Sequence, residues 1–180
     1  MKKLTMDEMN RLSTEDFRHA AKMDVTVVLD DVRSMMNIGS VFRTADAFRA
    51  RKVCLCGITA TPPHREIHKT ALGATESVDW EYYPSCADLL QQLSTEGAFI
   101  VAVEQVEGSM SLDHWSPGTD QPLVLVFGNE VHGVSENALA HCHQAVEIPQ
   151  HGTKHSLNIS VSAGIVLWEV FRHKKKSVLG

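Results

Sequence analysis

Short apolar runs that alternate with helix-like stretches leave this chain few architectures. Residues 25–29, 53–57, 99–103, 123–127 and 145–148 are brief and rich in Val, Ile, Leu, Ala and Phe, and residues 77–83 form a further, more polar strand candidate. Runs of that length with no polar alternation are strands covered on both sides. Between them the spacing changes. Ile38, Val41, Phe42, Ala45 and Phe48 recur at three and four residues, with Asn37 as the expected N-cap and Arg43 off the apolar stripe. Ser85 can cap a second helix carrying Leu89, Leu90 and Leu93 and ending near Gly97. A short helix is expected within residues 7–22, and the last helix from Ser156 or Leu157. Strands alternating with such helices predict an α/β domain, a mostly parallel sheet with helices on both faces. At 180 residues and 43% apolar composition, one domain with one substantial core suffices.

Net charge is −5, yet its distribution is uneven. Residues 1–69 hold 12 Lys and Arg against 9 Asp and Glu, residues 70–153 hold none against 12, and residues 154–180 hold 5 against 1. A fold that joins the first third to the C-terminal tail therefore presents a basic face despite an acidic total, which suits a nucleic-acid partner. No run approaches the ~18 apolar residues that span a bilayer, and the N-terminus lacks the apolar segment of a signal peptide, so a cytoplasmic protein without a membrane partner is expected. Cys54, Cys56, Cys86 and Cys142 are too scattered for a disulfide framework. Period-two alternation puts Cys54 and Cys56 on one strand face, as packing residues rather than zinc ligands. His64 with His68, and His141 with His143, read as turn or solvated histidines; no metal is expected.

In open parallel sheets ligands bind beyond the carboxyl ends of the strands. The loops after Leu29, Val103, Phe127 and Ile148 are therefore where chemistry should sit. The dinucleotide pattern Gly-x-Gly-x-x-Gly is absent, and so is the Gly-x-Ser-x-Gly nucleophile elbow. Gly128 to Ser135 has the glycine spacing of a phosphate loop, but Val134 stands where its lysine is required and Glu130 would oppose the phosphates. Asn158-Ile-Ser160 matches a glycosylation acceptor by chance, inside an expected helix.

Three stretches, each at a strand-to-helix junction, form a more specific set. Residues 37–48 read Asn-Ile-Gly-Ser-Val-Phe-Arg-Thr-Ala-Asp-Ala-Phe, Gly128-Asn-Glu130 is followed by Gly133, and Ile148-Pro149 leads to Ser156-Leu-Asn-Ile-Ser160. In this order they resemble the SpoU (TrmH) branch of the SPOUT RNA methyltransferases, across most of the chain. Two positions depart from the pattern: Val131 and His132 follow Glu130 where many members have glycine, and Gln150 replaces a frequent methionine.

The resemblance implies a C-terminal trefoil knot, S-adenosylmethionine as methyl donor, a homodimer, and methylation of a ribose 2′-hydroxyl in RNA. It divides the chain into an N-terminal helical extension, residues 1–22, and a methyltransferase domain, residues 23–180. The absence of a separate RNA-binding domain favours tRNA, with a guanosine of the D-loop as one target; ribosomal RNA is the nearest variant, and a non-catalytic RNA-binding or assembly protein the alternative from another class. Asn37, Arg43, Glu130, Ser156 and Asn158 are the implied catalytic residues. Val103, Glu104, Gly128, Ile148, Pro149, Ser156 and Leu157 are the implied donor-binding residues. Arg43, always protonated, would grip the target phosphate and lower the hydroxyl pKa, and Glu130 would orient Arg43 through a bidentate pair. Ser156 and Asn158 would place the hydroxyl or the donor carboxylate near a positive helix terminus. The final helix, apolar nearly all round with small residues between, is expected to be buried within the subunit or across a dimer.

Overall fold

The computed structural model describes residues 1–5, 7–118 and 121–179. Seven strands form one sheet in the order β3-β2-β1-β6-β4-β7-β5, and every pairing is parallel. They are β1 (Met23–Asp30), β2 (Ala50–Cys56), β3 (Asp79–Tyr83), β4 (Phe99–Val103), β5 (Met110–Ser111), β6 (Leu123–Phe127) and β7 (Gln144–Glu147). The chain runs outward from β1 through β2 to β3, then crosses to β4, and β6 enters between β1 and β4. That insertion brings the ends of β1, β6, β4 and β7 side by side. β5 escaped the sequence reading because two residues carry no periodicity.

Helices cover both faces, as the two-sided burial of the strands requires. On one face α2 (Met35–Ala47), α3 (Arg65–Ala71) and α7 (Ile159–Leu179) pack over Val25, Val27, Leu29, Val53 and Leu55. On the other, α5 (Cys86–Thr95) and α6 (Glu136–Leu139) pack over Val28, Cys54, Cys56, Ile100 and Val126. Cys54 and Cys56 share that buried face with Cys86, and burial pushes the Cys54 thiol up to about 12. His64 accepts from the Glu66 N–H as the N-cap of α3, and His143 stacks on Phe99 while its Nδ1 accepts from the Ile100 N–H.

Some boundaries differ from expectation. The region 7–22 is a 3-10 turn (Asp7–Met9) and a separate α1 (Thr14–His19), divided at Asn10, which has φ 48°. Ser77 belongs to α4 (Ala74–Ser77) rather than to β3. The cap of α2 is Ser34, whose Oγ accepts from the Asn37 N–H at 3.3 Å, so the helix begins two residues before Asn37. The last helix starts at Ile159, not at Ser156 or Leu157. Its cap is Asn158, whose Oδ1 accepts from the Ser160 N–H at 2.9 Å. The cap of α5 is Ser85, as its sequence predicts. Among the described residues no helix is long and apolar enough to cross a membrane.

Candidate active site

The carboxyl ends of β4, β6 and β7 open into a cleft of about 530 Å³, within the range of small-molecule sites. Its apolar wall includes Val103, Phe127, Val146, Ile148 and Leu157; Glu104, Asn129, Glu130, Ser156 and Asn158 supply polar groups. Three strand-end loops and the start of α7 therefore meet at one place, the arrangement expected of a parallel sheet.

The loop after β6 is held from several sides. Asn129 and Gly133 exchange backbone hydrogen bonds, and the Asn129 side chain donates to Asp31 O at 2.7 Å while accepting from the N–H groups of Val131 and His132. Glu104 reaches across from β4 and accepts the Val134 N–H at 3.0 Å. Gly128 lies so close to the returning chain that a Cβ there would stand 2.0 Å from the Gly133 carbonyl carbon, so only glycine fits. This closes the path through Val131 and His132 with the backbone satisfied.

Glu130 does not pair with Arg43. Its carboxylate accepts from the Arg33 N–H at 3.0 Å, the Ser34 N–H at 2.9 Å and the Asn37 Nδ2 at 3.0 Å. A carboxylate at a helix start finds unpaired N–H groups there, and these, rather than the Arg43 guanidinium, are what Glu130 takes. Partial burial raises the Glu130 pKa, but the backbone donors of Arg33 and Ser34 outweigh it and hold the carboxyl below its ordinary range. Asn37 continues the chain of contacts: its Oδ1 accepts from Asn158 Nδ2 at 3.1 Å. Glu130, Asn37 and Asn158 thus link the starts of α2 and α7 to the β6 loop.

Of the residues singled out from sequence, Val103, Glu104, Gly128, Glu130, Ile148, Ser156, Leu157 and Asn158 line the cleft. Asn37 joins them through Glu130 and Asn158. Pro149 and Arg43 are exposed and outside the lining; Arg43 sits six residues beyond Asn37 along α2, roughly 9 Å of helix rise. Sequence reasoning missed Asn129 as the residue that folds the β6 loop, although it stands in the quoted motif.

The chemistry of this lining suits S-adenosylmethionine. An apolar slot can hold a planar base, small residues and loop backbone can hold a ribose, and the first turn of α7 can face a carboxylate.

The sequence model of the SpoU rRNA Methylase family matches residues 24–168. The chain is 35% identical to the 23S rRNA (guanosine-2'-O-)-methyltransferase RlmB of Nitrosomonas europaea over 86% of its own length, but spans only 58% of that relative. It is 29% identical to the tRNA (guanosine(18)-2'-O)-methyltransferase of Thermus thermophilus, with 96% of this chain and 87% of that one aligned. In structure it resembles the SpoU methyltransferase AviRb of Streptomyces viridochromogenes in complex with AdoMet, with a TM-score of 0.76 and 25% identity over 87% of this chain and 63% of that one. With a match that runs from β1 well into α7, and with two of the three motifs lining one cleft and the first tied to it through Asn37, the chain belongs to the SpoU rRNA Methylase family.

Proposed function

We propose that this chain is an S-adenosylmethionine-dependent RNA methyltransferase that modifies a ribose 2′-hydroxyl, most readily in tRNA. The observation that carries the proposal is the Glu130–Asn37–Asn158 chain across the mouth of the cleft. It fixes three sequence motifs around one volume, which a purely structural use of these residues does not require. The tRNA reading is supported by the similarity to the Thermus thermophilus relative, which runs through 96% of this chain. The greater identity to the Nitrosomonas europaea rRNA enzyme supports ribosomal RNA as the second reading.

The bound donor supplies an electrophilic methyl group on a sulfonium. The cleft residues Val103, Glu104, Gly128, Ile148, Ser156 and Leu157, with Pro149 beside them, hold and orient it. The reaction is an in-line displacement by the 2′-oxygen, so placement and exclusion of water matter most. Arg43 grips the phosphate beside the target ribose and stabilises the oxygen as its proton passes to solvent at the open mouth of the cleft, the sulfonium sulfur leaving as a neutral thioether. Asn37 and Asn158 orient the acceptor, and Glu130 keeps Asn37 in place. Glu130, held ionised by its N–H partners, is a weak base and serves as a positioning residue.

Residues 23–180 form the methyltransferase domain, with residues 1–22 as a helical extension and the C-terminal segment threaded as a trefoil knot. The enzyme works in the cytoplasm as a homodimer without a metal. The dimer is supported by α7, which leaves Val161, Ile165 and Trp168 exposed on one side while Ala163, Val166, Leu167 and Val170 are buried on the other. Mass spectrometry of nucleosides from tRNA and rRNA of cells with and without the gene tests the proposal. Loss of one 2′-O-methyl nucleoside is expected; an unchanged profile, with purified protein that transfers no methyl group to either RNA, would leave only a binding role.

A further inference from the structure

A second, smaller cavity of about 320 Å³ adjoins the donor cleft, with Asn129, His132 and Gly133 in the walls of both. The rest of its lining comes from the end of β1 with the turn that follows it, and from the turn after β2: Asp30, Asp31, Arg33 and Ile58, with Ser135. Three features mark it as more than a surface dent. Asp31 has φ 54°, the left-handed region that a non-glycine residue adopts at a cost. It is held there by Asn129 Nδ2 on its carbonyl at 2.7 Å and by the Ile58 N–H on its Oδ1 at 2.9 Å, while its Oδ2 accepts no hydrogen bond among the described residues. Arg33 gives its backbone N–H to Glu130, yet its exposed guanidinium has no partner among the described residues. Ile58 is 67% exposed, an apolar side chain offered to solvent beside these charges.

A half-free carboxylate, an unpaired guanidinium and an apolar side chain around one volume complement one nucleobase better than the others. Guanine carries N–H donors at N1 and N2 beside the O6 acceptor. A carboxylate can take the donors, a guanidinium can give to O6, and an apolar or imidazole side chain can cover the ring face. Adenine would turn its N1 lone pair towards the carboxylate, and uracil and cytosine offer fewer matching groups. Resting on the methyl-transfer reading above, we propose that this cavity receives the base of the target nucleotide and selects guanine, with Asp31 reading N1 and N2, Arg33 reading O6, and Ile58 and His132 covering the ring. The shared 129–133 wall would then place the attached ribose at the donor cleft, where Asn37 and Glu130 stand.

Two substitutions test this without disturbing the loop. Asp31→Asn keeps an oxygen for the Ile58 N–H and a residue tolerant of positive φ, but removes the carboxylate. Arg33→Ala removes only the side chain, since the bond to Glu130 uses the main chain. Methyl transfer to unmodified total tRNA and rRNA is measured with mapping of the product, together with titration of guanosine, inosine and adenosine 5′-monophosphates onto protein loaded with S-adenosylhomocysteine. The product is expected to be 2′-O-methylguanosine, with guanosine monophosphate bound in preference to adenosine monophosphate. Each variant should lose about tenfold or more in kcat/KM with donor affinity within twofold of wild type, and inosine, lacking the 2-amino group, should be less sensitive to Asp31→Asn than guanosine. Methylation of another nucleotide, wild-type turnover by both variants, or loss of donor affinity in both would overturn the cavity assignment and leave the methyl-transfer reading standing. Absence of transfer to any RNA by the wild type would overturn that reading, and this assignment with it.

Discussion

Glu130 and Arg43 stand in the same pair of motifs, and the residue contacts separate their roles. Glu130 spends both oxygens on the start of α2 and on Asn37; Arg43, exposed on the same helix with no hydrogen bond or ion pair among the described residues, keeps its guanidinium open for the phosphate contact proposed above. Arg43→Ala is therefore expected to abolish methyl transfer while donor affinity, read by calorimetric titration, changes by no more than a few fold. Arg43→Lys should not restore the rate, because a lysine lacks the planar fork that takes two phosphate oxygens at once. Loss of donor binding in Arg43→Ala would place Arg43 at the donor instead. Glu130→Gln tests the other role. An amide cannot accept from Arg33, Ser34 and Asn37 together, so about 1 kcal/mol of stability should be lost, the cost of a poor helix cap. The pH dependence has a definite sign: the folded pKa lies below the ordinary 4.5, so the contribution is complete above 4.5 and fades as pH falls through the lower, folded value. Wild type and Glu130→Gln should therefore differ in chemical denaturation at pH 7 and converge in acid. A constant difference down to pH 2 would show that charge is not what Glu130 contributes.

At the scale of the elements, the motif that carries Asn37 and Arg43 also packs one helix on another. A Cβ on Gly39 would stand 2.1 Å from Thr70 Oγ1 and 2.3 Å from Ile67 O, both on α3. This glycine is needed for the close approach of α2 to α3. Gly39→Ala should lower stability by about 1–3 kcal/mol through overpacking, seen as a lower thermal midpoint; an unchanged midpoint would mean that α3 shifts without cost. The apolar stripe of α2 and the three loop motifs are legible in the sequence, because periodicity and residue type are local properties. The cap at Ser34 is not, because Asn37 is an equally good capping residue, and only the tertiary contacts of Asn37 with Glu130 and Asn158 draw it away. The pairing of Glu130 failed for a related reason. Charge alone pointed to Arg43, whereas the unpaired N–H groups at the start of α2 were visible only once β6 was seen beside β1.

For the molecule as a whole, α7 is the element whose sequence and surroundings disagree most. Apolar around most of its first three turns, it buries only one side, against α2 and the sheet, and leaves Val161 at 48%, Ile165 at 36% and Trp168 at 49% exposure. These positions fall at i, i+4 and i+7, one continuous stripe, and next to them a Cβ on Gly164 would meet nothing within 4 Å. An exposed apolar stripe of this kind marks a contact surface, and its small neighbours let a second helix approach closely. Trp168 also touches Phe48 and Phe171, with ring centroids at 5.9 and 6.0 Å, so replacing it would disturb the subunit itself. Ile165 is the cleaner probe. If two copies of α7 meet on this face, Ile165→Glu buries an unpaired carboxylate in the interface and should cost about 3 kcal/mol or more, at least a hundredfold in the dimer dissociation constant. Sedimentation equilibrium is expected to give a dimer for the wild type and a monomer for Ile165→Glu at the same micromolar concentration, with unchanged far-ultraviolet circular dichroism. A wild-type monomer, or a dimer unaffected by the substitution, would remove α7 from the assembly and leave the exposed stripe to a different partner.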